Sequence, residues 1–364
     1  MEIVCVQNRR TVANDDGEAS KSISVRSAEK DVRCETMPPI PDRIIGHEKI
    51  CGELLADIAH DNVSHAYLFT GPRHLGKFTV ARWFALRILA DGRPPEELES
   101  IKDQVERLIH PDLLSLDKLW IEEKQDDWKM IGQYSNISQQ HRSKAPLAKT
   151  DTISIEDIRS LGQRLMETGS SKHLCCLIRS VERMQSAAAN SFLKVLEEPP
   201  PRVVFILTAE SEHAVLKTVA SRTRIFRFHP LPKKAMRSLI EGHEDDDGAF
   251  AMHLAQGAPG ELLSLLENPD ALRSKKQLHS QAKQFWQART LAERLSWIMT
   301  YADSKKDPEE LLLHLALTLR EHPENEKRAE LSAAYMNLVS GLSTNAHRGL
   351  LLERFALAVE SPEC

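Results

Sequence analysis

Five short apolar runs recur in the first two thirds of the chain, and longer stretches with helical periodicity separate them. The runs are AYLF (66–69), DLLSL (112–116), LCCLI (174–178), VVFIL (203–207) and RIFRF (224–228). Short continuous apolar strands that alternate with helices are typical of a parallel sheet covered by helices on both faces. The pattern therefore predicts an α/β domain built on a five-stranded parallel sheet.

Helix signals lie before and between these runs. FTVARWFALRILA follows the first run, and Ser154 is a favourable N-cap with Asp157 three residues later. The helical stretch SAAANSFLKVLEE should end at the proline block 199–201. A further helix is predicted before the first strand by an apolar stripe that consists of Ile44, Ile45, Ile50, Leu54, Leu55 and Ile58.

The rest of the chain departs from this α/β pattern. The N-terminal stretch has few large apolar side chains and includes ANDDGEASKS, which cannot offset its chain entropy by burial. A polar insertion of unknown purpose interrupts the pattern, and helical stripes replace the strands after Pro230. The predicted division is a flexible extension at 1–40, the α/β domain at 41–229 with its insertion at about 118–149, a small helical domain at 230–265 and a larger helical domain at 266–364.

A glycine-rich turn joins the first predicted strand to the next helix. GPRHLGK places Gly71, four intervening residues, Gly76 and Lys77 in the order of a phosphate-binding loop. Glycines let backbone N–H groups face phosphate oxygens, and the helix N-terminus and the lysine supply positive charge. The order of strand, loop and helix therefore favours a nucleotide-phosphate site at these three residues.

The residues that hold magnesium in such sites are missing. Phe78 stands where a serine or threonine hydroxyl is needed, and Thr79 should point about 100° away from that direction. The strand LCCLI should end in a carboxylate, but Arg179 and Ser180 follow it. Glu182, four residues after Ile178, could replace one only by curling back, and its place before RMQSAAAN favours a residue on the approach to the next helix. We therefore predict no ATP hydrolysis by this site. A tight strand-to-helix turn and weak nucleotide binding remain two alternatives for the loop.

Composition limits the class of protein. The formal net charge is −5, 41% of residues are hydrophobic and 28% are charged, and no apolar run approaches the length of a bilayer span. These values predict a soluble globular protein and are neutral about DNA. The six cysteines form no CxxC pair and no metal-ligand spacing, so we expect a cytoplasmic location and no zinc site. His110 and Asp112 could be read as metal ligands, but a lone His-Pro-Asp is more often a turn.

Seven segments in chain order resemble the bacterial clamp-loader subunits of the AAA+ superfamily, and most closely the delta-prime family of the DNA polymerase III clamp loader. They cover roughly residues 42–360 and are IIGHEKI, SHAYLFTGPRHLGK, HPDLLSL, ISIEDIRSL, AANSFLKVLEEPP, SRTRIFRF and NAHRGLLLERFAL. The combination of LEEPP with SRT is highly specific within the superfamily.

The resemblance implies three domains, which are a AAA+ α/β domain, a helical lid and a helical collar that joins five subunits into a ring. In such rings ATP lies at subunit interfaces, and the Ser-Arg-Cys motif of one subunit supplies an arginine finger to its neighbour's nucleotide. The corresponding residues are Ser221, Arg222 and Thr223, so Arg222 is expected to act in trans. An arginine that only caps the preceding helix is the alternative.

Two departures from the family pattern concern zinc and nucleotide. The family often carries a four-cysteine zinc module before HPD, whereas residues 90–110 contain no cysteine. Where active relatives have a sensor arginine in the lid, GAPGE offers Glu261, which would repel a phosphate. These departures predict no metal site and add to the reasons to expect no intrinsic ATPase activity.

We therefore predict a clamp-loader scaffold subunit with a degenerate ATP site, which supplies Arg222 in trans and helps to load a sliding clamp onto primed DNA. No cofactor is expected, apart from weak ATP or ADP binding at the loop. The expected partners are the other subunits of a hetero-pentameric ring, the sliding clamp, and primer-template DNA through the complex. The alternatives are an ATP-hydrolysing AAA+ motor subunit and a stand-alone AAA+ regulator.

Overall fold

The computed structural model describes residues 44–117, 135–137, 152–167, 169, 171–243, 245–302, 308–321, 325–344 and 346–359. These residues form two compact units. The first contains the described residues up to Ser238 together with Gln256–Gly260, and the second contains Leu239–Ala255 and the described residues from Glu261 onwards. The predicted extension at 1–40 lies outside the described residues, as does the predicted insertion at 118–149 except for 135–137.

A five-stranded parallel sheet forms the centre of the first unit. The strand order is β2-β3-β4-β1-β5. In the central pairings, Leu68 lies opposite Leu207 on one side and opposite Ile225 on the other. The strands are β1 (Ala66–Thr70), β2 (Leu113–Leu116), β3 (Leu174–Ile178), β4 (Val203–Ala209) and β5 (Arg224–Arg227). Each overlaps one of the five predicted apolar runs, so the predicted α/β fold is confirmed.

Helices cover both faces of this sheet, which is why the strands read as continuous apolar runs. The helices of this unit are α1 (Glu48–Ala59), α2 (Lys77–Ala90), α3 (Pro95–Glu106), α4 (Ile155–Leu165), α5 (Ser186–Glu197), α6 (Lys217–Ala220) and α7 (Lys233–Met236), and a 3₁₀ turn spans Val181–Arg183. Tyr67 and Phe69 of β1 are buried against α1, α2 and α3, whereas Leu68 points to the opposite face, against α4 and α5.

Local signals set the ends of these helices. Ser154 and Asp157 form the predicted capping box of α4, because Asp157 N donates to Ser154 Oγ (3.3 Å) and Ser154 N donates to Asp157 Oδ2 (2.8 Å). The first helix begins at Glu48 and not near Ile44, as the apolar stripe had suggested. Gly46, with a φ angle of 67°, interrupts the right-handed helical path between them.

The described part of the second unit is helical, as predicted. Its centre contains Phe285, Trp286 and Phe355, and Trp286 Nε1 donates to Thr318 Oγ1 at 3.0 Å. No described helix has both the length and the apolar character needed to cross a membrane. The predicted boundary between lid and collar near 265 stays a prediction. From residue 237 onwards the elements are the 3₁₀ turn Arg237–Ile240, α8 (Asp246–Ala255), α9 (Pro259–Glu267), α10 (Pro269–Gln287), α11 (Leu291–Ile298), the 3₁₀ turn Met299–Tyr301, α12 (Pro308–Arg320), α13 (Asn325–Leu342) and α14 (Arg348–Ala358).

Candidate functional site

The predicted phosphate loop joins β1 to α2, and its two glycines adopt backbone conformations that other residues rarely adopt. Gly71 has a φ angle of 145°, and a β-carbon there would lie 2.3 Å from the carbonyl oxygen of Phe228. Gly76 has a φ angle of 81° and immediately precedes α2. The shape of the loop therefore depends on both glycines.

Lys77, the first residue of α2, binds back to its own loop. Its Nζ donates hydrogen bonds to the carbonyl oxygens of Gly71 and Pro72, each at 2.5 Å. Burial lowers the pKa of Lys77 to about 8, although the charges of Glu182 and Glu210 favour its protonated form. A nucleotide phosphate would have to displace these internal contacts in order to engage the ammonium group.

The two positions that should hold magnesium contact each other. The guanidinium carbon of Arg179 lies 4.8 Å from the centroid of the Phe78 ring, which is a cation–π contact. Arg179 Nη1 also donates to Asp117 Oδ2 at 2.6 Å. Asp117 stands beside Arg179 because the residues that precede them, Leu116 and Ile178, are paired in the sheet. An aromatic ring and a permanent positive charge therefore stand at the two positions where the sequence pattern led us to expect metal ligands.

Glu182, the first acid after β3, lies in the short turn Val181–Arg183 and not at the strand end. Both of its carboxylate oxygens are buried, and neither accepts a well-formed hydrogen bond from the described residues. Burial raises the pKa of Glu182, and the charge of Glu210 raises it further, while backbone N–H groups and Lys77 only partly compensate. Thr79, which the sequence already disfavoured as a ligand, is exposed on α2.

Asp117 and Glu210 are site residues that the sequence reasoning missed. Glu210 directly follows β4, and its Oε1 accepts a hydrogen bond from Arg73 Nε of the loop at 2.5 Å. Parallel strands bring the residues after their carboxyl ends to one edge of the sheet, so an acid within three residues of the end of an apolar run was the available signal. These carboxylates are engaged with arginines. At the described site an anion would thus meet backbone N–H groups and Lys77. A metal ion would meet the Phe78 ring and the Arg179 guanidinium.

Arg222 follows Ser221, the C-cap residue of α6, and is bonded within its own chain. Its Nη2 lies 2.8 Å from Oε1 of Glu197, the last residue of α5, and its Nη1 donates to the carbonyl oxygen of Thr218 at 3.0 Å. The bond to Thr218 is the helix-capping geometry of the alternative interpretation. The side chain is nevertheless 36% exposed, so its outer face remains open to another molecule.

A partly buried network fixes the strand that follows Arg222. Arg224 Nη1 donates to both carboxylate oxygens of Asp57, and Tyr67 Oη donates to Asp57 Oδ2 at 3.0 Å. Burial raises the pKa of Tyr67, and the hydrogen bond to Asp57 raises the pKa of Arg224. The network ties β5 to α1 and β1, so the backbone next to Arg222 is anchored.

The remaining sequence candidates have structural partners. His110 Nδ1 accepts a hydrogen bond from Asp112 N at 3.1 Å, and Asp112 Oδ1 accepts one from Arg202 Nη2 at 2.5 Å, so the His-Pro-Asp segment forms a turn before β2. In the second unit, Glu261 forms an ion pair with Lys275 at 2.9 Å. Its predicted repulsion of a phosphate stays a prediction.

Comparison with known proteins gives a family match over the first unit. A family model described as DNA polymerase III, delta subunit matches residues 46–232, slightly more than half of the 364-residue chain. The matched stretch contains the loop, the Phe78–Arg179 contact and Arg222.

Curated relatives carry related names. DNA polymerase III subunit delta' of Bacillus subtilis (strain 168) is 29% identical over 52% of this chain and 49% of its own length, and subunit delta' of Escherichia coli (strain K12) is 26% identical over 44% and 45%. DNA polymerase III subunit gamma/tau of Mycobacterium tuberculosis (strain ATCC 25618 / H37Rv) is 25% identical over 62% of this chain and 36% of its own length. The chain thus spans half or less of the length of these relatives.

Among solved structures, a DNA polymerase III gamma subunit-related protein of Thermotoga maritima aligns with a TM-score of 0.46 and 16% identity, over 84% of this chain and 98% of that one. The RuvB Holliday junction branch migration motor of Thermotoga maritima aligns with a TM-score of 0.39 and 13% identity, over 84% and 81%. These scores are low, and the description of the fold rests on the strand order of the chain itself.

Proposed function

Since the chain belongs to the DNA polymerase III, delta subunit family, we propose that it acts as a delta-prime-like subunit of a clamp loader. Its own nucleotide site is degenerate and does not turn over ATP. It supplies Arg222 to the nucleotide site of a neighbouring subunit, and it helps to load a sliding clamp onto primed DNA. Its partners are the other subunits of a hetero-pentameric ring, the clamp and, through the complex, primer-template DNA.

The contact between Phe78 and Arg179 is the observation that carries this proposal. Mg²⁺ takes oxygen ligands in octahedral geometry, and neither a phenyl ring nor a guanidinium provides one. A divalent ion about 5 Å from a guanidinium would be repelled by roughly 7 kcal/mol at an effective dielectric constant of about 20. The position after β3 therefore opposes the metal on which phosphoryl transfer depends.

The loop itself supports at most weak nucleotide binding. Gly71 and Gly76 keep the backbone turn, and Lys77 keeps a charge for a phosphate. That charge is already balanced by two loop carbonyls and by the fields of Glu182 and Glu210. A nucleotide that binds without metal would have to replace the two carbonyl contacts of Lys77 and overcome the negative charges of Glu182 and Glu210. ADP or ATP is therefore a weak ligand in this proposal.

Arg222 is suited to act in trans because its present contacts are weak. An exposed ion pair such as that with Glu197 contributes roughly 0 to 1 kcal/mol. Charge-assisted hydrogen bonds from a guanidinium to phosphate oxygens are stronger and are often bidentate. The arginine can therefore exchange Glu197 for a neighbour's phosphate when the ring assembles.

Reconstitution with the ATPase subunits of a clamp loader tests this role. We expect Arg222→Ala to lower the DNA-stimulated ATPase rate of the complex at least tenfold, by loss of transition-state charge stabilisation. Arg227→Ala is the matched control, because Arg227 is 60% exposed and forms a similar ion pair with Glu212 at 2.6 Å. Equal rates in the wild-type and Arg222→Ala complexes would remove the arginine-finger assignment.

An active motor subunit is the alternative, since gamma/tau proteins are among the relatives. It would need Phe78 and Arg179 to separate and two new oxygen ligands to enter. No described residue at those two positions carries such an oxygen, so we retain the degenerate site as the proposal.

A further inference from the structure

Three side chains of the second unit converge although they are far apart in sequence. His253 lies on α8, His279 lies on α10, and Glu321 follows directly after α12. His253 Nε2 lies 3.0 Å and His279 Nε2 lies 3.5 Å from Oε1 of Glu321. The three ligand atoms all lie within 4.8 Å of one another. We propose that His253, His279 and Glu321 form a binding site for a divalent transition-metal ion of the Zn²⁺ class.

The two nitrogen–oxygen separations in this cluster fit the ion. Zn–N distances of about 2.0 to 2.1 Å and Zn–O distances of about 2.0 to 2.2 Å place the ligand atoms of a tetrahedron about 3.3 Å apart. The distances of 3.0 and 3.5 Å between the nitrogens and the Glu321 oxygen bracket that value. Two imidazoles and one carboxylate are also a known set of three zinc ligands, with water in the fourth position.

A neighbouring histidine supports the orientation of one ligand. His314 is fully buried, and its Nδ1 lies 3.4 Å from Nδ1 of His279. Metal-bound imidazoles usually bond their second nitrogen to another group, which fixes the ring and its tautomer. His314 can accept this bond from His279 Nδ1–H, which leaves His279 Nε2 to act as the ligand.

Glu321 divides its two carboxylate oxygens between different partners. Lys283 Nζ lies 3.4 Å from Oε2, whereas the Nε2 atoms of His253 and His279 approach Oε1. The lysine charge opposes a bound cation, and the Glu321 carboxylate partly offsets it.

The site is open enough for an ion to enter. The side chains of His253 and Glu321 are 32% and 30% exposed, whereas that of His279 is 11% exposed. A bound ion would link α8, α10 and the end of α12, so it would add to the stability of the helical unit. The inference is independent of the proposed role in clamp loading.

Zinc titration of the full-length, EDTA-treated protein tests the site. We expect Glu321→Gln and His253→Gln each to weaken the binding of one Zn²⁺ equivalent at least tenfold, because each removes one of three protein ligands. His213→Gln is the control, since His213 is exposed on the first unit. Lys283→Met should strengthen binding, because it removes a competing cation.

Two further readouts separate a metal site from a structural effect of the substitutions. Co²⁺ added to the wild-type protein should give the visible absorption of tetrahedral nitrogen and oxygen coordination, and Glu321→Gln should lose it. Zn²⁺ should raise the melting temperature of the wild-type protein but not that of Glu321→Gln. Equal zinc affinity and stoichiometry in the wild type, Glu321→Gln and His253→Gln would overturn the proposal, as would absence of zinc binding to the wild type at micromolar Zn²⁺.

Discussion

The guanidinium of Arg179 lies over the ring of Phe78, with 4.8 Å between the guanidinium carbon and the ring centroid. One residue stands just after β3 and the other stands in the first turn of α2. In the proposed function each side chain stands where a magnesium site needs an oxygen ligand, and their cation–π contact stabilises both. Restoring only one oxygen would therefore leave either a ring or a cation in the metal position.

Restoring both oxygens should bring back metal dependence. In the double variant Phe78→Ser with Arg179→Asp, we expect Mg²⁺ to strengthen ADP binding at least tenfold, because two oxygen ligands replace a ring and a cation. Titration of a fluorescent ADP analogue with and without Mg²⁺ measures this change. The wild type and both single variants are the controls and should show no such strengthening. A wild type that already binds ADP more tightly with Mg²⁺ would contradict the account.

The buried carboxylate of Glu182 should destabilise the fold at neutral pH. Its pKa is raised from 4.5 by burial, so ionising this carboxyl costs more free energy in the folded than in the unfolded state. Glu182→Gln should therefore raise the free energy of unfolding at pH 7.5. The gain should shrink as the pH falls through the raised pKa towards 4.5 and vanish below it, where both states are protonated. Urea unfolding of the wild type and the variant at pH 7.5 and below pH 4.5 measures this difference in stability. Glu99→Gln is the control, because the Glu99 side chain is 84% exposed.

Lys77 should have the opposite pH dependence. Its folded-state pKa of about 8 lies below the ordinary 10.5, so folding is penalised wherever the lysine must be charged. Lys77→Met should raise the free energy of unfolding at pH 7 by up to about 3 kcal/mol, less the cost of losing the two hydrogen bonds to the loop carbonyls. Between about pH 8 and 10.5 only the folded state loses its proton, so the difference should shrink over that range. A difference that is constant from pH 7 to 10 would be incompatible with this assignment.

Gly71→Ala tests the requirement for glycine in the loop. The new β-carbon would meet the Phe228 carbonyl oxygen at 2.3 Å in a backbone conformation that alanine rarely adopts. We expect a loss of about 2 to 4 kcal/mol of stability, from strain and overpacking. Gly162→Ala is the matched control, because Gly162 lies in α4 with no atom within 4 Å of the new carbon. It should stabilise by roughly 0.5 to 1 kcal/mol. Equal effects of both changes would contradict the loop geometry.

Sequence patterns predicted the sheet well because its strands are buried on both faces. The capping box of Ser154 and Asp157 was equally readable, since both partners lie within one turn. The start of α1 could not be predicted. The apolar stripe extends back to Ile44, but the left-handed backbone at Gly46 interrupts the helical path.

The features of the candidate site that could not be predicted are contacts between residues that are far apart in the sequence. The substitutions at Phe78 and Arg179 could be read directly, but their stacking could not. Asp117 meets Arg179 only through the register of β2 and β3. The His253, His279 and Glu321 cluster brings together three helices of the second unit. A search for short-range ligand spacing therefore could not find it.

Phosphate release from Mg·ATP by the isolated full-length chain is the most direct test of the central claim. With Phe78 and Arg179 in place of the magnesium ligands, the account predicts a rate no higher than that of a Lys77→Ala variant, at any ATP concentration. Steady turnover by the wild-type chain that Lys77→Ala abolishes would contradict it.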